Sequence, residues 1–176
     1  MAKKKKIANK TMAKKLSKSW IGIVVLALLL GYQWFTSNRP IEPGERYEVT
    51  LVKCIDGDTA RFNVDGEETV VRFLYIDTPE STKEVEPYGE EASAYVSERL
   101  TNANKIVLET NLDGDQYDKY DRMLAWVFVD GDLLQVDIAK NGYVEKFYDY
   151  GYDYTYKDEV IKADEEAKQN KVGLYE

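Results

Sequence analysis

Carboxylates and guanidinium groups recur in three short segments of this 176-residue chain, residues 55–59, 71–80 and 118–122. The segments read I-D-G-D-T, V-R-F-L-Y-I-D-T-P-E and D-K-Y-D-R. Carboxylate oxygens are ligands that calcium prefers, and the fork of a guanidinium matches the oxygens of a phosphate. Together these residue types predict a site at which a hard cation and arginines bind a phosphate group.

Asp58 and Asp77 are the candidate cation ligands. Calcium takes about six to eight oxygens from carboxylates, carbonyls and water, so these two side chains and one or two backbone carbonyls supply part of its shell. Waters and a substrate phosphate oxygen would complete it. Arg72 lies inside a predicted strand, and a buried guanidinium is costly without a counter-ion, so we expect a fixed anion beside it.

The chain contains no histidine and a single cysteine, Cys54. Ser-His-Asp triads, histidine bases, histidine metal ligands, intrachain disulfides and cysteine zinc clusters are therefore excluded. Cys54 falls in a strand-like run, and we expect it to be a small core residue. Any acid–base or metal chemistry must rest on carboxylates, Lys, Tyr or Arg.

The charge of the chain is unevenly distributed. Residues 1–20 hold eight of the 24 basic residues and no acid, so the other 16 stand against 32 acidic residues and the remainder carries a net charge of −16. A basic tail on an acidic body is typical of a chain that meets a membrane or a polyanion.

An apolar run follows the lysines, with Gln33 as its one strongly polar side chain before Thr36. We predict a cytoplasmic tail over residues 1–19 and a transmembrane anchor over 20–36, which would bind the lipid bilayer. A cleaved signal peptide, and hence a secreted protein, is the alternative. Residues 37–46 predict a linker, and 47–176 a folded domain outside the cytoplasm.

The folded part is predicted to be an α+β domain. Asp65-Gly66 is a strong type I′ hairpin signal between two strand-like runs. Segments rich in β-branched and aromatic residues predict five strands, at 47–55, 59–64, 67–76, 105–110 and 123–129. Helical spacing predicts three helices, at 89–100, 133–140 and 157–171. A five-stranded OB-type β-barrel with three helices, preceded by one N-terminal transmembrane helix, fits this order.

The motifs D-G-D-T, R-x-x-x-x-D-T-P-E and D-K-Y-x-R resemble, in order and spacing, those of the staphylococcal nuclease (thermonuclease) family. The resemblance covers roughly residues 49–175. It implies an OB-type barrel with three helices and a calcium-dependent endonuclease that hydrolyses phosphodiester bonds of DNA and RNA. It also implies cleavage of the P–O5′ bond, 3′-phosphorylated products and a monomer.

The resemblance assigns the metal ligands residue by residue. It implies that Asp58 and Asp77 are the calcium carboxylates and that the carbonyl of Thr78 is a further ligand. Asp56 is expected to lie behind these ligands and to orient them or their waters.

The resemblance also assigns the residues that meet the substrate. It implies that Glu80 activates or orients the attacking water, and that Arg72 and Arg122 clamp the phosphate and stabilise its developing charge. Four further positions match residues that contact the phosphate and base of the nucleotide, and they are Lys119, Tyr120, Tyr148 and Tyr150.

The sequence departs from the family pattern at Asp121, where the family has glycine. Aspartate is among the few residues that tolerate a positive φ, but its charge can pair with Arg122 and weaken the clamp. The loop over residues 81–87 is acidic here, with Glu84 and Glu86 against Lys83. An acidic body fits poorly with tight nucleic-acid binding, so we expect weak binding that depends strongly on the metal.

Two other functions remain open from the sequence. One is a catalytically weak or inactive OB-type binding module on the cell surface, although an inactive copy would be free to lose the assigned set and the chain retains it. The other is a surface protein whose calcium serves stability, which predicts metal binding without phosphodiester cleavage.

Overall fold

The computed structural model describes residues 20–32, 41–82 and 85–176, and the chain divides into two units, Met1–Pro40 and Ile41–Glu176. In the first unit, residues 20–32 form helix α1. The predicted tail over 1–19 and residues 33–36 of the predicted anchor lie outside the described residues. Within the described ranges, no helix is both long and apolar enough to cross a membrane.

The second unit is built on a closed β-barrel, as the sequence predicts. Its five strands are β1 (Arg46–Asp56), β2 (Thr59–Val64), β3 (Glu67–Phe73), β5 (Ile106–Glu109) and β6 (Met123–Val129). They are hydrogen-bonded in the order β3-β2-β1-β5-β6, and a parallel pairing of β3 with β6 closes the barrel. Three two-residue strands complete the set: β4 (Ile76–Asp77), β7 (Asp132–Leu133) and β8 (Lys146–Phe147).

Among the described residues of this unit, three helices accompany the barrel, in the predicted number and order. They are α2 (Gly89–Thr101), α3 (Leu134–Lys140) and α4 (Lys157–Asn170), and a 3-10 turn over Gly173–Tyr175 follows α4. The barrel interior is filled by large apolar side chains such as Phe62, Phe73 and Leu108, each at most 1% exposed. Cys54 is only partly buried and packs against the edge of this core.

The β2–β3 hairpin has the turn that its sequence predicts. Asp65 and Gly66 have φ angles of 51° and 96°, so both central residues lie in the positive-φ region that a type I′ turn requires. Val64 pairs with Glu67 across the turn, and the Asn63 side chain accepts a 2.9 Å hydrogen bond from the Gly66 N–H. This turn fixes the register that places Arg72 opposite Thr59.

The prediction of one strand over residues 67–76 is wrong at its C-terminal end. The strand β3 ends at Phe73, three residues earlier than predicted. Tyr75 adopts a φ of 71°, which turns the chain out of the barrel, and its ring stacks on Phe147 at 5.2 Å. The chain then forms β4, which pairs with β8 instead of with the barrel. This turn carries Asp77 back toward Arg72.

The compact second unit begins at Ile41, so it includes residues 41–46 from the end of the predicted linker. Ile41 packs against the core. The Thr110 hydroxyl donates a 2.6 Å hydrogen bond to the Glu42 carbonyl and accepts one of 3.0 Å from the Glu45 N–H. These hydrogen bonds hold the segment before β1 against Thr110, the residue that follows β5.

Candidate active site

Arg72 lies at the centre of the candidate site, on β3 where this strand pairs with both β2 and β6. Its side chain is only 10% exposed. Its Nη2 lies 2.5 Å from Asp77 Oδ1, while Nη1 forms an ion pair with the Asp58 carboxylate and contacts the Asp58 carbonyl at 3.4 Å. The buried guanidinium is thus held between two carboxylates, which supply the anion that its burial requires.

Asp58 is buried and fixed by its neighbours. Its Oδ2 accepts hydrogen bonds from the Thr78 N–H at 3.0 Å and the Thr78 hydroxyl at 3.3 Å, and its Oδ1 accepts one from the Thr59 hydroxyl at 2.8 Å. Gly57 makes this approach possible, since a Cβ there would lie 2.6 Å from the Thr78 hydroxyl oxygen and 3.1 Å from the Ala92 Cβ. The glycine of the D-G-D motif is therefore required by packing.

Asp77 also forms an ion pair with a lysine, Lys146, that sequence reasoning missed. Lys146 lies directly opposite Asp77 in the β4–β8 ladder, and its Nζ is 2.8 Å from Asp77 Oδ2. The hydrogen bond and charge of Asp77 raise the pKa of the Lys146 ammonium well above its usual value. The one available sequence signal is spacing, because Lys146 stands two residues before Tyr148 and extended residues two apart share a face.

Asp56 and Glu80 form an acidic pair beside this cluster. The Asp56 Oδ1 accepts hydrogen bonds from the Gly57 N–H at 2.8 Å and the Ser81 hydroxyl at 2.6 Å. Burial is the main cause that raises the pKa of the Asp56 carboxyl above its ordinary value. The hydrogen bonds from Ser81 and Gly57 lower this pKa, while a hydrogen bond with Glu80 and the charge of Asp58 raise it. Asp56 therefore interacts with both Glu80 and Asp58, and it connects these two carboxylates.

Glu80 is anchored through both its side chain and its backbone. Its Oε1 accepts hydrogen bonds from the Thr82 N–H at 2.9 Å and from the Thr82 hydroxyl, and its own N–H donates to Glu86 Oε2 at 2.8 Å. A Cβ on Gly89 would lie 2.3 Å from the Glu80 carbonyl oxygen, so the start of α2 packs directly onto this backbone. The carboxylate is thereby held at the exit from β4.

Arg122 precedes β6, the strand that closes the barrel against β3. Its Nε and Nη2 each lie 2.6 Å from Asp118 Oδ2. Asp121 has a φ of 61°, which is the conformation that explains a glycine at this position in the family pattern. Among the described carboxylates, the ion-pair partner of Arg122 is Asp118 and not the neighbouring Asp121.

Aromatic rings line the site beside its cations. The rings of Tyr148 and Tyr150 stack at 6.1 Å with an interplanar angle of 7°, and the Arg72 guanidinium carbon lies 5.7 Å from the Tyr148 ring. In a second group, the Tyr120 ring lies 4.9 Å from the Lys119 ammonium. Tyr150 and Tyr120 are 69% and 67% exposed, so their faces can receive planar groups from solvent.

The structure therefore joins five predicted site residues through successive contacts, namely Asp56, Asp58, Arg72, Asp77 and Glu80. Thr78 and Tyr148 contact this cluster directly, while Lys119, Tyr120 and Arg122 form the second group around Asp118. Sequence reasoning missed Lys146, Ser81 and Asp118. The available signal for Asp118 is its residue type, because an aspartate that opens a turn accepts a hydrogen bond from the backbone N–H two residues on, as it does here from Tyr120.

The donor set of the cluster consists of oxygens, which suits a hard cation such as calcium or magnesium better than a soft metal. In the described part of the chain, no three or more His, Cys, Asp or Glu side chains are placed to hold a metal. Asp58 and Asp77 are two carboxylates on one side of the site, so a cation there would take its other ligands from carbonyls, water or substrate. The residues fit such a partly open shell.

Comparison with known proteins matches residues 70–176 to the family described as Staphylococcal nuclease homologue. Two endonucleases of Bacillus subtilis (strain 168) are 41% identical to this chain. The SPbeta prophage-derived endonuclease YokF matches over 134 residues, 74% of this chain and 45% of that protein. Endonuclease YncB matches over 130 residues, 72% of this chain and 61% of that protein.

A thermonuclease of Staphylococcus hyicus is 30% identical over 172 residues, which is 92% of this chain and 98% of that protein. The chain thus spans less than two thirds of each Bacillus relative, 45% of one and 61% of the other, and nearly all of the staphylococcal one. The matched family region contains Arg72, Asp77, Glu80 and Arg122, and Asp58 lies just before it.

Proposed function

The chain belongs to the staphylococcal nuclease homologue family, and from that membership we propose that it is an endonuclease that hydrolyses phosphodiester bonds of DNA and RNA. The observation that carries the proposal is the buried guanidinium of Arg72 between Asp58 and Asp77. The two carboxylates outnumber the guanidinium, so the group can attract a cation, while the guanidinium of fixed position can donate to phosphate oxygens. The endonuclease and thermonuclease names of the relatives support it.

We propose that the cofactor is Ca²⁺, held by Asp58, Asp77 and the carbonyl of Thr78. When bound, the ion would supply positive charge next to the phosphate oxygens. The all-oxygen donor set and the burial of Asp58 support this assignment. Asp56, which contacts both Gly57 and Ser81, would orient the ligands or their waters from behind.

The proposed reaction divides the work among three side chains. Glu80 orients the attacking water and accepts a proton from it as the water oxygen bonds to phosphorus. Arg72 and Arg122 donate hydrogen bonds to the phosphate oxygens on which negative charge develops. The P–O5′ bond then breaks, the 5′ oxygen leaves and gains a proton, and a 3′-phosphorylated product remains.

The exposed aromatic and basic side chains would bind the nucleotide around the reacting phosphate. Tyr148 and Tyr150 present a stacked pair next to Arg72, and Lys119 and Tyr120 lie beside Arg122. Stacking on an aromatic ring tolerates any base, which suits a nuclease that accepts both DNA and RNA.

We further propose that the nuclease unit is a monomer held outside the cytoplasm by a single-pass membrane anchor over residues 20–36. The eight lysines of residues 1–20 and the apolar run after them support this orientation. Cleavage of the segment as a signal would release a secreted enzyme. The mass of the mature protein distinguishes a retained segment from a cleaved one, and sedimentation in detergent measures the oligomeric state.

The decisive experiment assays the full chain, purified in mild detergent, on DNA and RNA with calcium and then with a chelator. We expect cleavage at mildly alkaline pH only with calcium, and 3′-phosphorylated ends by mass spectrometry. Calcium binding without any cleavage would contradict the enzyme and favour a stabilising metal site or a binding module.

Glu80→Ala tests the assigned mechanism. We expect a loss of several orders of magnitude in rate, because the water loses its proton acceptor, with fold and calcium binding retained. Glu91→Ala, an exposed acid in the first turn of α2, is the matched control and should retain full activity. A fully active Glu80→Ala would show that the assigned mechanism is wrong.

A further inference from the structure

Asp77 is shared between two cations, one on each carboxylate oxygen. Arg72 Nη2 lies 2.5 Å from Oδ1, and Lys146 Nζ lies 2.8 Å from Oδ2. The second contact is imposed by the backbone, because Asp77 and Lys146 are directly paired in the β4–β8 ladder and the Glu145 N–H donates a 2.8 Å hydrogen bond to the Asp77 carbonyl. Paired residues keep their side chains within reach of each other.

The two cations differ in how easily they can leave. The Arg72 side chain is 10% exposed and also bonds to Asp58, so it is fixed on two sides. The Lys146 side chain is 54% exposed, and its ammonium is carried on a flexible four-carbon stem. Lys146 can therefore leave Asp77 by rotating its own stem into solvent, whereas Arg72 cannot move without also leaving Asp58.

We propose that Lys146 is a built-in counter-ion that competes with the divalent cation for Asp77 and thereby sets the cation affinity of the site. The inference rests on the proposed function, because it takes Asp77 to be a cation ligand. A divalent cation on Oδ2 must take the place of the ammonium, and the displaced positive charge stays nearby and repels the ion.

The surroundings of Lys146 support this exchange. The Tyr148 ring centroid lies 5.5 Å from Nζ, so the ammonium can rest over an aromatic face once it has left Asp77. Glu145 lies 3.7 Å away and offers a second, more exposed carboxylate. Two resting places next to Asp77 let the lysine move aside without losing all its partners.

The test is calorimetric titration of the full chain with calcium chloride, without nucleic acid. Lys146→Met keeps the length of the stem and removes the charge, and we expect its Kd for calcium to fall about tenfold. Lys146→Arg, which keeps the charge, should bind calcium like the wild type. Lys105→Met is the matched control, since Lys105 is 56% exposed and pairs at 2.7 Å with Glu48 of β1. Its Kd for calcium should not change.

The cation concentration for half-maximal DNA cleavage should fall by the same factor in Lys146→Met. Suppose that the wild type binds calcium and cleaves DNA, but that the Kd of Lys146→Met for calcium is equal or higher. That result would overturn this inference and leave the proposed function standing. A wild type that binds no calcium would overturn the proposed cation site and this inference with it. Lys146→Gln, titrated in parallel, is judged by the same outcomes if the methionine variant does not fold.

Discussion

Asp118 holds Arg122 through both its backbone and its side chain. The Arg122 N–H donates to Asp118 Oδ1 at 3.0 Å, while the Arg122 Nε and Nη2 both lie 2.6 Å from Oδ2. The Tyr120 N–H adds a 2.8 Å hydrogen bond to the same carboxylate. One aspartate thus fixes the turn before β6 and the direction of the guanidinium that the turn presents.

Asp118→Asn should reduce kcat/KM for DNA by about 10- to 100-fold, because Arg122 loses the carboxylate that orients it. Calcium binding should be unchanged, because none of the proposed ligands lies in this loop. Steady-state cleavage and calorimetry measure the two effects. Asp115→Asn in the same loop is the control, since Asp115 accepts a hydrogen bond from Tyr152 and not from Arg122. Equal activity of the two variants would rule out an orienting role for Asp118.

The same interaction predicts a pH dependence of stability. Burial alone would raise the pKa of Asp118, but the hydrogen bonds from Arg122 and Tyr120 outweigh it and lower the pKa below the ordinary value of 3.8. The unfolded state therefore binds the proton more readily, so the stabilisation is complete above pH 3.8 and is lost as the pH falls through the lower folded-state pKa.

Asp118→Asn should consequently cost about 1–2 kcal/mol of unfolding free energy at neutral pH. The difference from the wild type should shrink as the pH falls below 3.8. Urea unfolding at a series of pH values measures both quantities. A difference that stays constant across the acid range would show that Asp118 does not carry this stabilisation.

Gly57→Ala should weaken both stability and catalysis. The added methyl group would press on the Thr78 hydroxyl and on Ala92, so we expect a loss of about 1–3 kcal/mol in unfolding free energy. Activity should fall further than stability explains, because Thr78 positions Asp58. Gly31→Ala meets nothing within 4 Å and serves as the control. Unchanged denaturant midpoints for Gly57→Ala would contradict the packing argument.

Asp121→Gly restores the residue that the family pattern has before its arginine. Because Asp121 has a φ of 61°, we expect glycine to relieve backbone strain and to raise the unfolding free energy by about 0.5–1 kcal/mol. Removing a negative charge next to Arg122 should also speed cleavage at low salt, where charges are least screened. Guanidinium unfolding and initial rates at two salt concentrations measure the two effects. Loss of stability in the variant would mean that the aspartate side chain stabilises this turn.

The barrel was largely readable from the sequence because its signals are local. Asp65-Gly66 can adopt positive φ at both positions, and the alternating runs on either side have the period of a strand. The end of β3 was not readable, since a left-handed tyrosine runs against its usual preference. Contacts with distant segments hold Tyr75 in this conformation, including its ring packing on Phe147 and on Tyr154.

The acidic and basic groups of the site were predictable one by one, but several of their pairings were not. Lys146 belongs to a two-residue strand, which is too short to show a periodic pattern, and its partner Asp77 lies on another two-residue strand. Ser81 contacts Asp56 across 25 positions. Contacts of this kind follow from the closed fold and have no local signature in the chain.

The parallel pairing of β3 with β6 has a consequence for how activity arises. Arg72 lies opposite Leu124 in this pairing, and the Leu74 N–H bonds to the Ala125 carbonyl at the same joint. The segments that carry Arg72 and Arg122, proposed above to act on one phosphate, are brought together where β3 meets β6. Cleavage should therefore require this pairing, and the onset of activity during refolding would report when the two strands join.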